Sequence, residues 1–418
     1  MHPNALLELA TELLHRVLQF KHPADGVVSD FFRQNKALGS RERHTLAETT
    51  YNVLRQRLLF QHLAQSGKGE MERRLAVLGW RGNEGFLRAA LAPAEQQWLA
   101  QVQAVDRAAL PEKLRHNLPD WLAEALQREL GDDFWPFVES MSAGAPLDLR
   151  VNALKARREA VTAALAAAGI AAEDTPFSPL GLRIHGKPAL HKLDVFTRGE
   201  VEVQDEGSQL LALLLDAKRG EMVADFCAGA GGKTLALGAA MRNTGRLYAF
   251  DTSGHRLAAL KPRLARSGLS NVYPVQIAHE RDERVKRLAG KIDRVLVDAP
   301  CSGLGTLRRN PDLKWRQTPQ AIEELRAKQG AILASAARLV KPGGRLVYAT
   351  CSLLREENEA IAQAFGEANT NFRPLPADEV LGAAHVARSA ELVREGFLRL
   401  WPQRHGTDGF FAAVWQKA

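Results

Sequence analysis

Residues 292–316, Ile-Asp-Arg-Val-Leu-Val-Asp-Ala-Pro-Cys-Ser-Gly-Leu-Gly-Thr-Leu-Arg-Arg-Asn-Pro-Asp-Leu-Lys-Trp-Arg, constrain the fold more than any other stretch. Val295, Leu296 and Val297 form a short apolar run, which predicts a buried strand of a parallel sheet. Asp298-Ala299-Pro300-Cys301-Ser302-Gly303 breaks that run at once. Ligands of open α/β sheets bind at the carboxyl ends of strands. A carboxylate and a thiol placed together at such an end therefore read as chemistry. An ordinary strand followed by a loop would explain the turn but not Asp298 beside Cys301.

The chain has 418 residues, enough for two or three domains with cores of their own. Its apolar and charged fractions, 45% and 25%, are those of a globular protein and exclude disordered and fibrous classes. Glu8 and Glu12 interrupt the first leucines and no small-residue cleavage site follows, so no signal peptide is expected. No apolar run is long enough to cross a bilayer, and a cytoplasmic location is expected. The three cysteines, Cys227, Cys301 and Cys351, are too few for a disulfide framework and read as free thiols. Lys and Arg outnumber Asp and Glu by 56 to 48, and the net charge of +8 favours a polyanionic partner.

Residues 1–143 place Leu6, Leu7, Leu9, Leu13, Leu14, Val17 and Leu18 at helical spacing, which predicts an all-helical domain. In Leu38-Gly39-Ser40-Arg41-Glu42-Arg43-His44, Ser40 is the expected N-cap of a helix carrying arginines on its polar side. This region is similar to the helical domain of the transcription factor NusB, and the resemblance implies RNA binding. Near Ser142-Ala143-Gly144-Ala145-Pro146 the composition changes, and residues 144–200 read strand, helix, strand. A small α/β domain of ferredoxin-like or RRM-like type is expected there, serving either as a spacer or as an RNA guide.

From residue 201 to 418 strands and helices alternate, which predicts a doubly wound, Rossmann-like domain. Its strand Val223 to Cys227 opens into the loop Cys227, Ala228, Gly229, Ala230, Gly231, Gly232, Lys233, where glycines let the backbone approach a ligand. Gly232-Lys233-Thr234 mimics the end of a phosphate-binding P-loop, so a nucleotide hydrolase is one reading. It lacks the first glycine of that motif, since Cys227 stands there, and it leaves both downstream thiols idle. The other reading is a nucleoside cofactor without a triphosphate, such as S-adenosylmethionine. Asp251 ends the next strand about twenty residues on, where an acid can accept both ribose hydroxyl protons. After the third strand, Val272 to Ile277, the loop at His279 could meet adenine.

Cys227 reads as a small buried hydrophobe in that loop. Cys301 and Cys351 differ, because helical crossovers bring both strand ends to one edge of the sheet beside Asp298 and the loop. No metal is expected, since the thiols lack the close paired spacing of zinc ligands. Thiolate, carboxylate and methyl donor together suit methylation of a pyrimidine at carbon 5. A thiolate adding to carbon 6 makes carbon 5 nucleophilic, and a carboxylic acid at ring nitrogen 3 stabilises the developing charge. A base, for which a second thiol could serve, then removes the carbon 5 proton. The target base must be unstacked to admit a nucleophile.

These residues resemble the Sun/Fmu group of RNA cytosine carbon-5 methyltransferases, also called RsmB-like. The resemblance spans at least Val201 to Lys417. It rests on Val203-Gln204-Asp205 with Ser208, on Cys227 through Thr234, and on Asp298 through Gly303. Arg309-Asn310-Pro311-Asp312 with Trp315, Thr350-Cys351-Ser352, and His405 through Phe411 complete it. It implies that Cys351 is the nucleophile, that Cys301 assists product release and that Asp298 engages the cytosine. The loop from Cys227 to Lys233 would lie beside S-adenosylmethionine. The substrate implied is ribosomal small-subunit RNA, with transfer RNA as the alternative, and a monomer is expected. A non-catalytic RNA-binding protein is a third reading, which needs the thiols to be incidental. Two positions depart from the family pattern: Ala230 replaces a proline, and His279 replaces an acid, which leaves adenine recognition open, with His279 and Asp282 as the candidates.

Overall fold

The computed structural model describes residues 1–186 and 188–418, and they divide into two compact units. The first combines Met1–Gly144 with Thr306–Thr318, and the second holds Ala145–Gly305 and Pro319–Ala418.

The first unit is all helical. Its opening helix, Pro3–Val17, buries Leu6, Leu7, Leu13, Leu14 and Val17 along one face. Each such side chain contributes roughly 1.5–3 kcal/mol on burial. The helix Ser40–Arg55 begins one residue before the expected position: Gly39 is its cap, and the Gly39 N–H donates to the Glu42 carboxylate at 2.7 Å. Ser40 is therefore the first helical residue. The inserted segment belongs to this unit through specific anchors. Trp315 Nε1 donates to the Leu54 carbonyl at 2.8 Å, and the Asp312 carboxylate accepts the Ala24 N–H at 3.2 Å.

The second unit contains two sheets. Leu147–Val151 (β1), Ala172–Asp174 (β2), Gly181–Ile184 (β3) and Val201–Val203 (β4) form an antiparallel sheet in the order β2-β3-β1-β4. The sequence begins the doubly wound part at Val201, but Val201–Val203 pairs with Val151–Leu149 as an edge of the small sheet. Only the helix Glu206–Leu215, capped by the Asp205 carboxylate, leads into the larger one. Buried polar ties join the small sheet to the helices of the larger layer: the Asp148 carboxylate, paired with Arg183 within the small sheet, accepts the Glu206 N–H at 3.3 Å, and the Arg150 guanidinium donates to the Gly232 carbonyl at 2.9 Å.

The larger sheet has Met222–Asp225 (β5), Arg246–Asp251 (β6), Val272–Gln276 (β7), Ile292–Asp298 (β8) and Val340–Thr350 (β9) in parallel, ordered β9-β8-β5-β6-β7. Phe372–Leu375 (β10), Val393–Arg394 (β11), Phe397–Leu400 (β12) and Phe410–Lys417 (β13) add an antiparallel flank, with β13 against β9. This is a Rossmann-like sheet. Residues 341–345 lie inside β9 although they include Pro342-Gly343-Gly344, and the pairing with β8 shifts register there. Strand order reverses at β5, with β6 on one side and β8 on the other, so the crevice for a ligand opens at their carboxyl ends.

Candidate active site

Four parallel strands end in polar residues at one edge: Asp225 on β5, Asp251 on β6, Asp298 on β8 and Thr350 on β9. Val297 and Asp298 pair with Tyr348 and Ala349, so the turns after β8 and β9 leave the sheet side by side. That register brings the Sγ atoms of Cys301 and Cys351 to 3.4 Å. Lys233, in the first turn of the helix Gly232–Ala240, reaches Asp298 with an Nζ–Oδ2 distance of 2.7 Å. Both sulfurs and Asp298 open onto a cavity of about 660 Å³ that extends past Cys227 and Asp251 to His279.

The two cysteine turns are held by one carboxylate. Glu357 is fully buried, and its Oε1 accepts the Ser302 N–H at 2.8 Å and the Gln329 amide at 2.9 Å. Its Oε2 accepts both the Ser302 and Ser352 hydroxyls. One side chain thus ties the residue after Cys301 to the residue after Cys351. Glu357 lies in the turn before the helix Glu359–Ala368. Gly305 completes the clamp: its N–H donates to the Cys351 carbonyl at 2.8 Å, and a Cβ there would sit 2.0 Å from the Gly409 carbonyl oxygen. Glu357→Ala strands several buried donors and is expected to cost on the order of 3 kcal/mol. Urea unfolding measures this, and a variant as stable as the parent would refute the clamp.

The Cys301 thiol is pushed well above its ordinary range, first by its hydrogen bond with Cys351 and then by burial. Burial acts most strongly on Lys233 and opposes its charge, yet Asp298, and after it Cys351, hold the ammonium above its usual value. Burial raises Cys227 well above the thiol range, with Asp298 adding to it.

Asp225 is pushed up to about 7, by burial first, although the Thr234 hydroxyl donates to it at 2.7 Å. The native state then holds a proton that the unfolded chain releases near pH 4. The Asp225 contribution is intact below about pH 4 and declines as pH rises to about 7. Asp225→Asn is expected to gain about 4 kcal/mol relative to the parent across that window. Parallel stability–pH curves for the two proteins would refute this.

Of the residues singled out from the sequence, Cys227, Asp251, His279, Asp298, Cys301 and Cys351 line the large cavity. Ala228, Ala230, Gly232 and Lys233 line a second cavity of about 300 Å³, which shares Asp298 and includes Gln204, Asp205 and Ser208. Gly229 and Gly231 line neither and serve as bends, with φ of +57° and +83°. Asp251 is 7% exposed, and its carboxylate accepts the Gly229 and Ser253 N–H groups at 2.8 and 2.7 Å. Asp282 is turned away by its capping role, accepting the Ala278 and Arg284 N–H groups at 2.9 Å each. Sequence reasoning missed Glu280, Arg256 and Lys328 as cavity residues. Nothing local marks Lys328, which arrives on the helix Pro319–Ala337. The cavity fits a nucleoside sulfonium: its size, the strand-end acid Asp251 and the apolar walls Phe226 and Ile277 match ribose and base, and Asp298 adds a carboxylate.

Comparison with known proteins agrees with this geometry. Residues 212–416 match the family described as 16S rRNA methyltransferase RsmB/F. Residues 118–191 match the ferredoxin-like domain of RsmF/B-like methyltransferases. The chain is 38% identical over 309 residues to a probable ribosomal RNA small subunit methyltransferase B of Synechocystis sp., covering 73% of this chain and 68% of that protein. The Bacillus subtilis protein of the same description is 29% identical over 411 residues, covering 98% and 90%. A methyltransferase homolog from Pyrococcus horikoshii superposes with a TM-score of 0.63 at 30% identity, covering 75% of this chain and all of that one. The fold, the strand-end cavity and these matches together place the chain in the RsmB/F family of S-adenosylmethionine-dependent 16S rRNA methyltransferases, the Sun/Fmu group.

Proposed function

We propose that this protein methylates carbon 5 of a cytosine in small-subunit ribosomal RNA through a covalent bond between Cys351 and carbon 6. The observation that carries the reading is the pair of sulfurs 3.4 Å apart beside Asp298 and Lys233. Cys351, in Thr350-Cys351-Ser352, is read as the thiol that adds, as the resemblance implies, and Cys301, whose thiol is held well up by Cys351 and by burial, as the one that does not. As the Cys351 sulfur bonds to carbon 6, the ring double bond moves its electrons toward carbon 5. Asp298, facing ring nitrogen 3, acts there as the acid: it takes a proton from the Lys233 ammonium 2.7 Å away and donates it to nitrogen 3 as negative charge builds on the ring. S-adenosylmethionine, when bound, supplies the electrophilic methyl group. Asp251 would hold the ribose hydroxyls, with Cys227 through Lys233 beside the donor and His279 with Glu280 nearest the adenine.

Release follows from the same pair. Covalent capture of the Cys351 sulfur removes the partner that holds the Cys301 proton most strongly. Cys301 then gives its own proton to the cavity solvent more readily and, as the thiolate, takes the carbon 5 proton, and the sulfur–carbon 6 bond breaks as the ring double bond reforms. Mapping 5-methylcytosine in RNA from cells with and without the protein tests the proposal. One site in small-subunit ribosomal RNA is expected to lose its methyl group. Loss confined to transfer RNA, or no loss at all, would overturn the substrate assignment. ATP hydrolysis by the purified protein without S-adenosylmethionine binding would favour the P-loop reading instead.

A further inference from the structure

The helical unit contains a cavity of about 280 Å³ that the proposed chemistry does not use. Arg55, Arg107, Arg115, His116 and Lys314 line it, and no Asp or Glu is among its lining residues. Such a one-signed lining is costly unless an anion completes it.

Lys314 carries the argument. It is 5% exposed, and its Nζ donates to the Arg55 carbonyl at 2.9 Å. No carboxylate lies within ion-pair distance of it among the described residues. Burial first and Arg55 second pull its ammonium down to about 7, the signature of a cation desolvated without a counter-charge. The Arg55 Nε is also buried without an acceptor, while its Nη2 is held by the Arg308 carbonyl at 2.8 Å. His116 accepts the Leu118 N–H at Nδ1, so its proton sits on Nε2 as a further donor. Arg115 is propped against Trp135, with 4.4 Å between its guanidinium carbon and the ring centroid. Arg107 and Arg115 are exposed at the mouth, whereas Lys314 and His116 form the floor.

We infer that this cavity is a phosphate site that seats one backbone phosphodiester of the RNA substrate, held by Lys314 and Arg55 within and by Arg107 and Arg115 at the rim. Arginine forks and a lysine point charge suit phosphate oxygens, and the volume admits a phosphate with part of its sugar. The source of the phosphate rests on the proposed function; the anion chemistry does not.

The test uses the full chain and a fluorescein-labelled RNA hairpin, titrated by anisotropy at a series of salt concentrations. The variants are Arg107→Ala/Arg115→Ala, which removes exposed side chains only, and Lys314→Met. The double variant is expected to bind about tenfold more weakly, with the salt slope smaller by about 0.7–0.9, as for one lost phosphate contact. S-adenosylmethionine binding should not change. Unaltered affinity and slope in the double variant would overturn the inference. Inorganic pyrophosphate that stabilises the parent but not Lys314→Met, and that RNA fails to displace, would mark a free-anion site and overturn the RNA assignment. A protein that binds RNA through these residues yet transfers no methyl group would sink the proposed function and leave this site standing.

Discussion

Cys351→Ala is expected to lower methyl transfer by about 10⁴-fold or more while S-adenosylmethionine binding persists, because removing a covalent nucleophile removes the step that activates carbon 5. The fold should tolerate the change. Cys351 is only partly buried, and the turn that carries it is anchored by Ser352 on Glu357 and by the Cys351 carbonyl on Gly305. Single-turnover transfer of labelled methyl to RNA measures the loss, and calorimetric titration measures the cofactor. Turnover within tenfold of the parent would refute the nucleophile assignment.

Cys301→Ala is expected to behave in the opposite sense. Addition at carbon 6 and methylation remain possible, but no thiol then stands 3.4 Å from the Cys351 sulfur to take the carbon 5 proton. Loss of a positioned base slows turnover by about 10²–10⁴-fold. The methylated adduct should accumulate and appear as an RNA–protein band on a denaturing gel. The band should vanish in the double variant Cys301→Ala/Cys351→Ala. Absence of a band from the single variant, with turnover lowered, would remove Cys301 from the release step.

Much of the site was legible before any coordinates. The apolar run Val295 to Val297 ends in Asp298 because a strand buried on both faces must stop where the chain meets solvent. The same logic applies to Leu346 through Ala349 before Cys351. Right-handed crossovers then force both ends to one edge. The role of Glu357 was not legible, because nothing local distinguishes it from Glu356 and Glu359 beside it, whereas the residue is buried beneath both turns. Nor was the cap at Gly39: the signal there is the Glu42 carboxylate reaching back to a backbone N–H, which a glycine supplies as well as a serine.

The sequence by itself determined which residues end the parallel strands, and hence that Asp298, Cys301 and Cys351 meet, since strand direction and crossover hand follow from local patterning. Only the tertiary structure decided that residues 306–318 fold with the helical unit, where Trp315 bonds to the Leu54 carbonyl 261 positions away. It likewise decided that Lys314 is buried against Arg55. Periodicity reports which face of an element is apolar, not which distant element will cover it, and a buried cation without a carboxylate exists only once that cover is in place.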